Sequence, residues 1–421
     1  MARDPALFRA PRGTDDLLPP RFWARESLVR LALDSFARAG YEPVETPAFE
    51  HTEVFERGVG EASEVVSKQM YTWADGGGRS LTLRPEGTAP VVRAVLEHGL
   101  DRGPLPVKLC YAGPMWRRER PQKGRFRQFF QVGIEALGSE LPEIDAEVIE
   151  IGTRFLSDAG VEPGLLLNSI GHEDDSCRRA YIRLLKEFLE THAGALAPED
   201  SARVATNPLR TFDSKEAQTV QVMERAPVIS EHLCPSCMAH FEELQSLLTD
   251  LGVDFRLEPR LVRGLDYYTR TAFEWFAGGL GSQNAVGGGG RYDGLSEALG
   301  GAPLPGIGFA LGLDRVALSR NEPAEPLSGP VAVYLVALGD EARREALMLA
   351  TALRAHGVGA DLDLVGRSMK GQMKDASRSG ARWAVIVGSE ELTTREATVK
   401  DLVSGEQHRV PFADLPRRLA P

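Results

Sequence analysis

The chain has 421 residues, 43% of them hydrophobic and 26% charged, which is the composition of a folded protein of two to three domains, not of a disordered or fibrous one. No apolar run reaches the ~20 residues of a membrane span, the N-terminal MARDPALFRAPRG has no apolar leader, and four cysteines are too few for a disulfide framework and suit a reducing cytoplasm. A formal net charge of −11 argues against a nonspecific nucleic-acid coat, while leaving room for a local basic patch that holds a polyanion.

Asp16 to Arg38 predicts an amphipathic helix, with Leu28, Leu31, Ala32, Ser35 and Phe36 at helical spacing. YEPVETPAFE follows as an extended segment, because Pro43 and Pro47 cannot sit inside a helix. LTLRPEGTAPVVRAVLEHG (81–99) predicts a strand, a turn at Pro85–Gly87 and a helix stopped at Gly99. LPVKLCYAGPMWRRE and GRFRQFFQVGIEALG read as two strands joined by the charged loop RRERPQKG. A hairpin of that length makes the sheet antiparallel. Residues 171–260 are mostly helical and read as an insertion, since strand character with Gly-rich turns resumes at 261. LVRGLDYYTRTAFEWF (261–276) opens like a strand, turns on Gly264, and carries Arg263 and Asp266 where core packing has no use for either. AVGGGGRYDGLSEALGG (285–301) fits no register of G-x-G-x-x-G, and no G-K-[ST] occurs in the chain, so neither common nucleotide loop is present. Gly287 to Gly290 are expected instead to bring backbone close to a ligand or to another strand. PGIGFALGLDRVAL (305–318) predicts a strand running into a helix, with Arg315 at the helix start. The Pro- and charge-rich SRNEPAEPLSGP (319–330) reads as a linker, and alternating β and α patterns after it predict a small α/β domain.

Two stretches invite a chemical reading. In GRFRQFFQVGIE (124–135), strand alternation puts Arg125, Arg127, Phe129, Gln131 and Glu135 on one face, and Phe126, Gln128, Phe130, Val132 and Ile134 on the other. The second face is core. The first is either solvated or lines a cleft, and a solvated face rarely needs Phe between Arg and Gln. In EHLCPSCMAH (231–240), Cys234 and Cys237 form one C-x-x-C with His232 and His240 nearby. A structural zinc site needs four ligands at characteristic spacing, so no structural metal is expected there.

Together these stretches resemble the histidyl-tRNA synthetases of the class II aminoacyl-tRNA synthetases, over nearly the whole chain. RGTDDLLP (12–19) and YEPVETPAFE look like the family's opening segment and first class motif. MWRRERPQKGRFRQFFQVGIEALG (115–138) is similar to the second motif and PGIGFALGLDRVAL to the third. LVRGLDYYTRTAFEW and GGGGRYDGLSEALGG mark the histidine-specific members. The resemblance implies an α+β fold: a class II antiparallel sheet core flanked by helices, with a helical insertion and a C-terminal α/β anticodon-binding domain. The expected boundaries are 1–170 and 261–325 for the two parts of the catalytic core, 171–260 for the insertion and 331–421 for the anticodon-binding domain.

The resemblance also implies roles. Histidine's carboxylate would attack the α-phosphate of ATP, with Mg²⁺ on the β- and γ-phosphates, and the histidyl group would pass to the terminal ribose of tRNA. Arg117 would hold the α-phosphate and the carboxylate, and Arg263 would point at the α-phosphate; both are expected to be catalytic. Arg315 would cover the adenine and reach the γ-phosphate, Phe129 would stack on the other face of the ring, and Glu119 would complete the ATP site. Glu86 would pair with the α-ammonium, assisted by Thr88, with Gln131 in the same pocket. Glu135 would accept a hydrogen bond from one imidazole nitrogen and Tyr268 would meet the other. Parity does not choose between Tyr267 and Tyr268, because Gly264 breaks the register. Tyr292 would line the rim. The loop residues Gln122, Lys123 and Arg125 would meet the tRNA acceptor end, the insertion would clamp the acceptor arm, and Arg367, Lys370, Lys374 and Arg378 would offer the anticodon a basic face. Pro47 would lie at the interface of a cytoplasmic homodimer. One departure stands out: where the family usually has His, this chain has Phe130, a position on the core face.

Three other readings compete. A non-catalytic regulatory subunit of histidine biosynthesis shares the catalytic core, but typically loses the LVRGLDYY arginine and the C-terminal domain; both are present here. A stress-sensing regulator would need effector domains for which the length leaves no room. A synthetase for another amino acid would lack the Glu135 and Tyr268 pair in these settings.

Overall fold

The computed structural model describes residues 8–420 except 61–62, 123, 206, 263–264, 279–283 and 321–330. The chain divides into two compact units, Met1–Ala324 and Glu325–Pro421. The strands of the first are β1 (Glu42–Pro43), β2 (Phe49–His51), β3 (Tyr71–Ala74), β4 (Ser80–Leu83), β5 (Val107–Trp116), β6 (Gln128–Leu137), β7 (Gly164–Ser169), β8 (Arg256–Leu257), β9 (Thr269–Phe276), β10 (Ala285–Arg291) and β11 (Gly306–Gly312). Eight form one sheet in the order β1-β5-β6-β11-β10-β9-β7-β8, and β2, β4 and β3 form a small second sheet. The large sheet is antiparallel throughout its centre; only the edge pairs β1–β5 and β7–β8 are parallel.

The expected hairpin is the spine of this sheet. β5 and β6 pair from Val107 opposite Leu137 to Trp116 opposite Gln128. Along β6 the alternation holds: Val132, Ile134 and Ala136 join the main core, while Phe129 and Leu137 pack on the other side with Tyr111 and Tyr292. The core face is covered by the helices Arg21–Arg38 and Pro142–Asp158, whose Leu28, Phe36, Ile149 and Phe155 meet Ile134, Trp275 and Phe309. The first helix starts at Arg21 rather than Asp16, because Pro19 and Pro20 cannot donate into it and Pro20 takes the position before its first turn. Between β7 and β9 the chain is mostly helical, with helices at Arg178–Thr191 and Pro235–Asp250. Leu261 and Val262 are not in a strand, so β9 begins eight residues later than the pattern suggested, at Thr269.

The helix Pro142–Asp158 is bound to the sheet by charge as well as by packing. The carboxylate of Asp145 receives Arg291 (2.7 and 3.0 Å), Thr271 Oγ1 (2.6 Å) and His240 Nε2 (3.0 Å), and Asp145 and Arg291 are fully buried. Two strands of the sheet, β9 and β10, and the helix Pro235–Asp250 thus converge on one carboxylate.

The second unit carries β12 (Val333–Ala337), β13 (Ala360–Leu362), β14 (Trp383–Val387), β15 (Glu396–Asp401) and β16 (Gln407–Pro411) in the order β13-β12-β14-β15-β16. β12 runs parallel to β13 and β14, as crossover helices require, and β15 and β16 close the sheet antiparallel. The helices Asp340–Ala355 and Met369–Arg378 provide the crossovers the sequence predicts. Among the described residues no helix is long and apolar enough to cross a membrane.

Candidate active site

On the face of the large sheet opposite the main core lies a pocket of about 280 Å³. Its lining joins the turn before the helix Thr88–Glu97, the hairpin loop, β6, β10, β11 and the helix Leu313–Leu318. Glu86, Thr88, Arg117, Glu119, Arg125, Phe129, Gln131, Tyr267, Tyr268, Tyr292 and Arg315 all reach it, so residues more than 200 positions apart in sequence meet in one hollow. Gln122 is exposed on the hairpin loop, outside the pocket. Arg263 and Lys123 lie outside the described residues.

At one end are cations and an aromatic ring. Arg117 donates Nε to the Pro85 carbonyl (2.8 Å), which fixes the fork while leaving both terminal nitrogens for the pocket. Its guanidinium sits 5.4 Å from the centre of the Phe129 ring. Glu119 lies between two arginines, 3.8 Å from Arg117 and 3.2 Å from Arg125. Burial, and then the like charge of Arg125, pull the Arg315 guanidinium below its usual range, and Glu274 opposes that shift.

At the other end are buried acids. Glu86 accepts the N–H groups of Thr88 (2.6 Å) and Ala89 (3.0 Å) at the start of the helix, where the backbone dipoles favour an anion. Burial still pushes its carboxyl up, against those bonds and the charge of Arg117. Glu135 is fully buried; it takes Thr88 Oγ1 at 2.7 Å on one oxygen and the Tyr292 hydroxyl at 2.5 Å on the other. Burial dominates and lifts Glu135 to about 8, although both bonds favour the carboxylate. Gln131 Oε1 is buried and has no hydrogen-bond partner among the described residues. A buried orphan acceptor on a pocket wall calls for a donor from a ligand.

The family model described as "Histidyl-tRNA synthetase" matches residues 13–316, and one described as "Anticodon binding domain" matches 332–420. The chain belongs to the histidyl-tRNA synthetase family. A histidine–tRNA ligase of Halothermothrix orenii is 47% identical over 97% of both chains, and one of Corynebacterium jeikeium is 50% identical over 98% of this chain and 93% of its own length. Among solved structures, the apo histidyl-tRNA synthetase of S. aureus superposes with a TM-score of 0.83 at 34% identity, covering 98% of this chain and all of the other.

The geometry amends several details of the sequence reading of this histidyl-tRNA synthetase fold. Tyr292 is only 1% exposed and lies at the floor of the pocket, not at its rim, because Gly306 leaves space for its ring: a Cβ there would come within 2.2 Å. Thr88 gives its hydroxyl to Glu135 and only its backbone N–H to Glu86, so it links the two acids. Glu135 sits just behind Thr88 and Tyr292. Arg127 leaves the pocket face, donating to the carbonyls of Arg12 and Glu119, while Phe126 enters it. Alternation fails there because β6 begins only at Gln128, after a turn in which Gly124 takes φ +73°. The glycines of β10 serve strand approach: a Cβ on Gly289 would meet the Gly308 carbonyl at 2.0 Å. Phe130 packs against the core with Arg25 4.7 Å above its ring, as its parity predicted.

Two contributors escaped the sequence reading. Tyr111 of β5 is buried beside the acids and fits only because Gly87 and Gly133 lack side chains, a Cβ on either meeting its ring at 2.5 Å. Glu274 lines the pocket from β9; its signal was a lone acid in AFEWF, between the buried Phe273 and Trp275.

Proposed function

We propose that this pocket joins histidine to ATP as histidyl-adenylate and that the chain then passes the histidyl group to tRNA. The observation that carries this reading is the division of one hollow into a cationic, aromatic end and an acidic end with an orphan acceptor. Two anions, a carboxylate and a triphosphate, must meet, so neutralisation and alignment are most of the work. Arg117 bridges the two reactants: its terminal nitrogens, clear of the Pro85 bond, form a fork that suits the α-phosphate and the carboxylate together. Arg315 and Phe129 take the two faces of the adenine. Glu86 and Gln131 Oε1 receive the α-ammonium. Thr88 and Tyr292 each hold one lone pair of Glu135, and the carboxylate keeps others for an imidazole N–H. Tyr268 meets the second ring nitrogen, with Tyr267 against it at 4.7 Å between ring centres. From the family resemblance, Arg263 is assigned to the α-phosphate.

Glu119 and Glu274 are two carboxylates on the wall that holds Arg315. That donor set fits Mg²⁺, which is commonly held by one or two carboxylates together with substrate phosphates. Bound there, the ion would neutralise the charge of the departing pyrophosphate.

The tRNA is assigned to the hairpin loop and insertion at its acceptor end and to the second unit at its anticodon. Arg118, Arg120 and Gln122 are exposed on the loop, and Arg125 is half-buried. Arg367, Lys370, Lys374 and Arg378 are exposed, though Arg367 is shared with Asp363 and Asp375. We assign Pro47 to a two-fold interface. It is exposed beside Phe49 and Trp73, apolar rings 49% and 40% exposed that touch edge-to-face, and an isologous dimer is the commonest oligomer. Four free thiols fit a cytoplasmic protein. The regulatory-subunit reading is the less supported, since full-length relatives carry the ligase name.

ATP–pyrophosphate exchange run with each amino acid in turn tests the reading. Exchange with histidine alone is expected. Exchange with another amino acid would overturn the substrate, and no exchange with any would overturn the enzyme.

A further inference from the structure

The single C-x-x-C does not stand alone. His172, Cys177, Cys234 and Cys237 bring one ligand atom each to within 4.8 Å of one another, and the three cysteines are buried. Neither histidine adjacent in sequence takes part: His240 belongs to Asp145 and His232 stacks on Tyr181. The missing half of the ligand set comes from the loop after β7, which is why spacing along the chain hid it. His172 Nδ1 lies 3.0 Å from Cys237 Sγ and 3.7 Å from Cys234 Sγ. Around a tetrahedral zinc ion with Zn–S near 2.3 Å, neighbouring ligand atoms stand about 3.5–3.8 Å apart, a spacing that lies between the 3.0 Å pair and the 4.8 Å limit of this cluster, so small side-chain shifts admit the ion.

The surroundings hold the four groups in place. Cys234 precedes the first turn of the helix Pro235–Asp250, where its sulfur accepts the Cys237 N–H at 3.5 Å; the Cys177 sulfur accepts the Cys234 N–H at 3.4 Å. Such N–H···S bonds orient thiolates as ligands. The His172 loop is fixed to the start of β9 by Ile170 N–H to the Arg270 carbonyl (2.7 Å) and Arg270 N–H to the Gly171 carbonyl (2.8 Å). Gly171, at φ +64°, is required there, since a Cβ would strike Cys177 Sγ at 2.8 Å.

We propose that His172, Cys177, Cys234 and Cys237 bind one zinc ion in a closed Cys₃His site that ties the first and last segments of the helical insertion together. Three thiols and an imidazole suit zinc over harder cations, and four protein ligands leave no coordination position for catalysis. The site departs from the sequence expectation of no structural metal, because the other two ligands, His172 and Cys177, come from a separate part of the chain. The role is distinct from the histidine pocket and does not depend on what that pocket binds.

The test is metal analysis of the full chain, purified without an affinity tag that binds metal and equilibrated with zinc before desalting. About one zinc per chain is expected, falling at least tenfold in Cys177→Ser and in Cys237→Ser and unchanged in His240→Ala. Cobalt(II) in place of zinc gives a second reading that does not depend on those variants folding: tetrahedral d–d bands with thiolate-to-cobalt charge transfer are expected from the unaltered chain. His172→Cys supplies a fourth thiolate and should retain one zinc while strengthening the charge-transfer band. Less than about a fifth of an equivalent of zinc in the unaltered chain, a cobalt spectrum without thiolate bands, or full zinc content in folded Cys177→Ser would each overturn the proposal. Rapid alkylation of the thiols regardless of zinc would also overturn it, because ligated thiolates are protected.

Discussion

The Tyr292 hydroxyl donates to Glu135 across 2.5 Å, joining β6 to the turn after β10 where neither residue meets solvent. Hydrogen bonds to charged groups contribute about 1.5–3 kcal/mol. Tyr292→Phe removes the donor that favours the carboxylate and leaves Thr88 alone on it. The expected result is a rise of about tenfold or more in the KM for histidine, with the KM for ATP within about twofold. An unchanged histidine KM would detach this pair from the substrate.

Glu135 also predicts a pH signature in stability. Its carboxyl is raised from 4.5 to about 8, chiefly by burial. Between those values the folded protein keeps a proton that the unfolded chain has released, so stability falls as pH rises through this window and is flat on either side. The slope approaches about 1.4 kcal/mol per pH unit. Glu135→Gln carries no such proton. Urea midpoints of the two proteins, without substrates, should therefore move apart between about pH 4.5 and 8 in favour of the variant. Parallel curves would place the Glu135 pKa near its ordinary value.

Arg117→Lys keeps the charge and loses the fork. Lysine cannot bond the Pro85 carbonyl and hold two reactants together. Loss of one such preorganised donor typically costs about 10²–10³ in rate. Histidine-dependent pyrophosphate exchange should fall by that factor while the melting temperature moves by no more than a degree or two. A variant within fivefold of the unaltered enzyme would make Arg117 a structural residue.

Asp145→Ala addresses the scaffold instead of the chemistry. It strips Arg291, fully buried, of its strongest partner and leaves Thr271 and His240 without an acceptor. Breaking a buried pair in this way costs about 3–5 kcal/mol. Chemical denaturation should show a loss of that size in the first unit. A loss under about 1 kcal/mol would mean that water enters and solvates the guanidinium.

What sequence made legible was local. Alternation along β6 separated Phe129, Gln131 and Glu135 from Val132 and Ile134, because successive side chains of a regular ten-residue strand point to opposite faces. The same rule misplaced Arg127 and Phe126, since a turn at Gly124 resets the phase and a turn has no period. Tyr111 stayed hidden because its place is made by missing side chains on Gly87 and Gly133. Glu274 gave a signal, but a lone acid in an apolar strand does not say what it faces. The thiol cluster was illegible for a different reason: Cys177 and Cys234 are 57 positions apart, and only the path of the chain around the insertion brings them together.

The order of layers around the imidazole end constrains any attempt to retune the enzyme. Tyr292 and Thr88 stand in front and the acid stands behind them, with Gly308 so close that a Cβ would lie 1.9 Å from a Glu135 oxygen. Widening the pocket by trimming Tyr292 would not open neutral space for a bulkier side chain; it would uncover an ionisable group that a neutral guest cannot satisfy. Gln131 has no such acid bonded behind it, and its free carbonyl already waits for a partner. A designer seeking a noncanonical amino acid would therefore leave the tyrosine in place, and leave Gln131 for the α-ammonium that every amino acid carries.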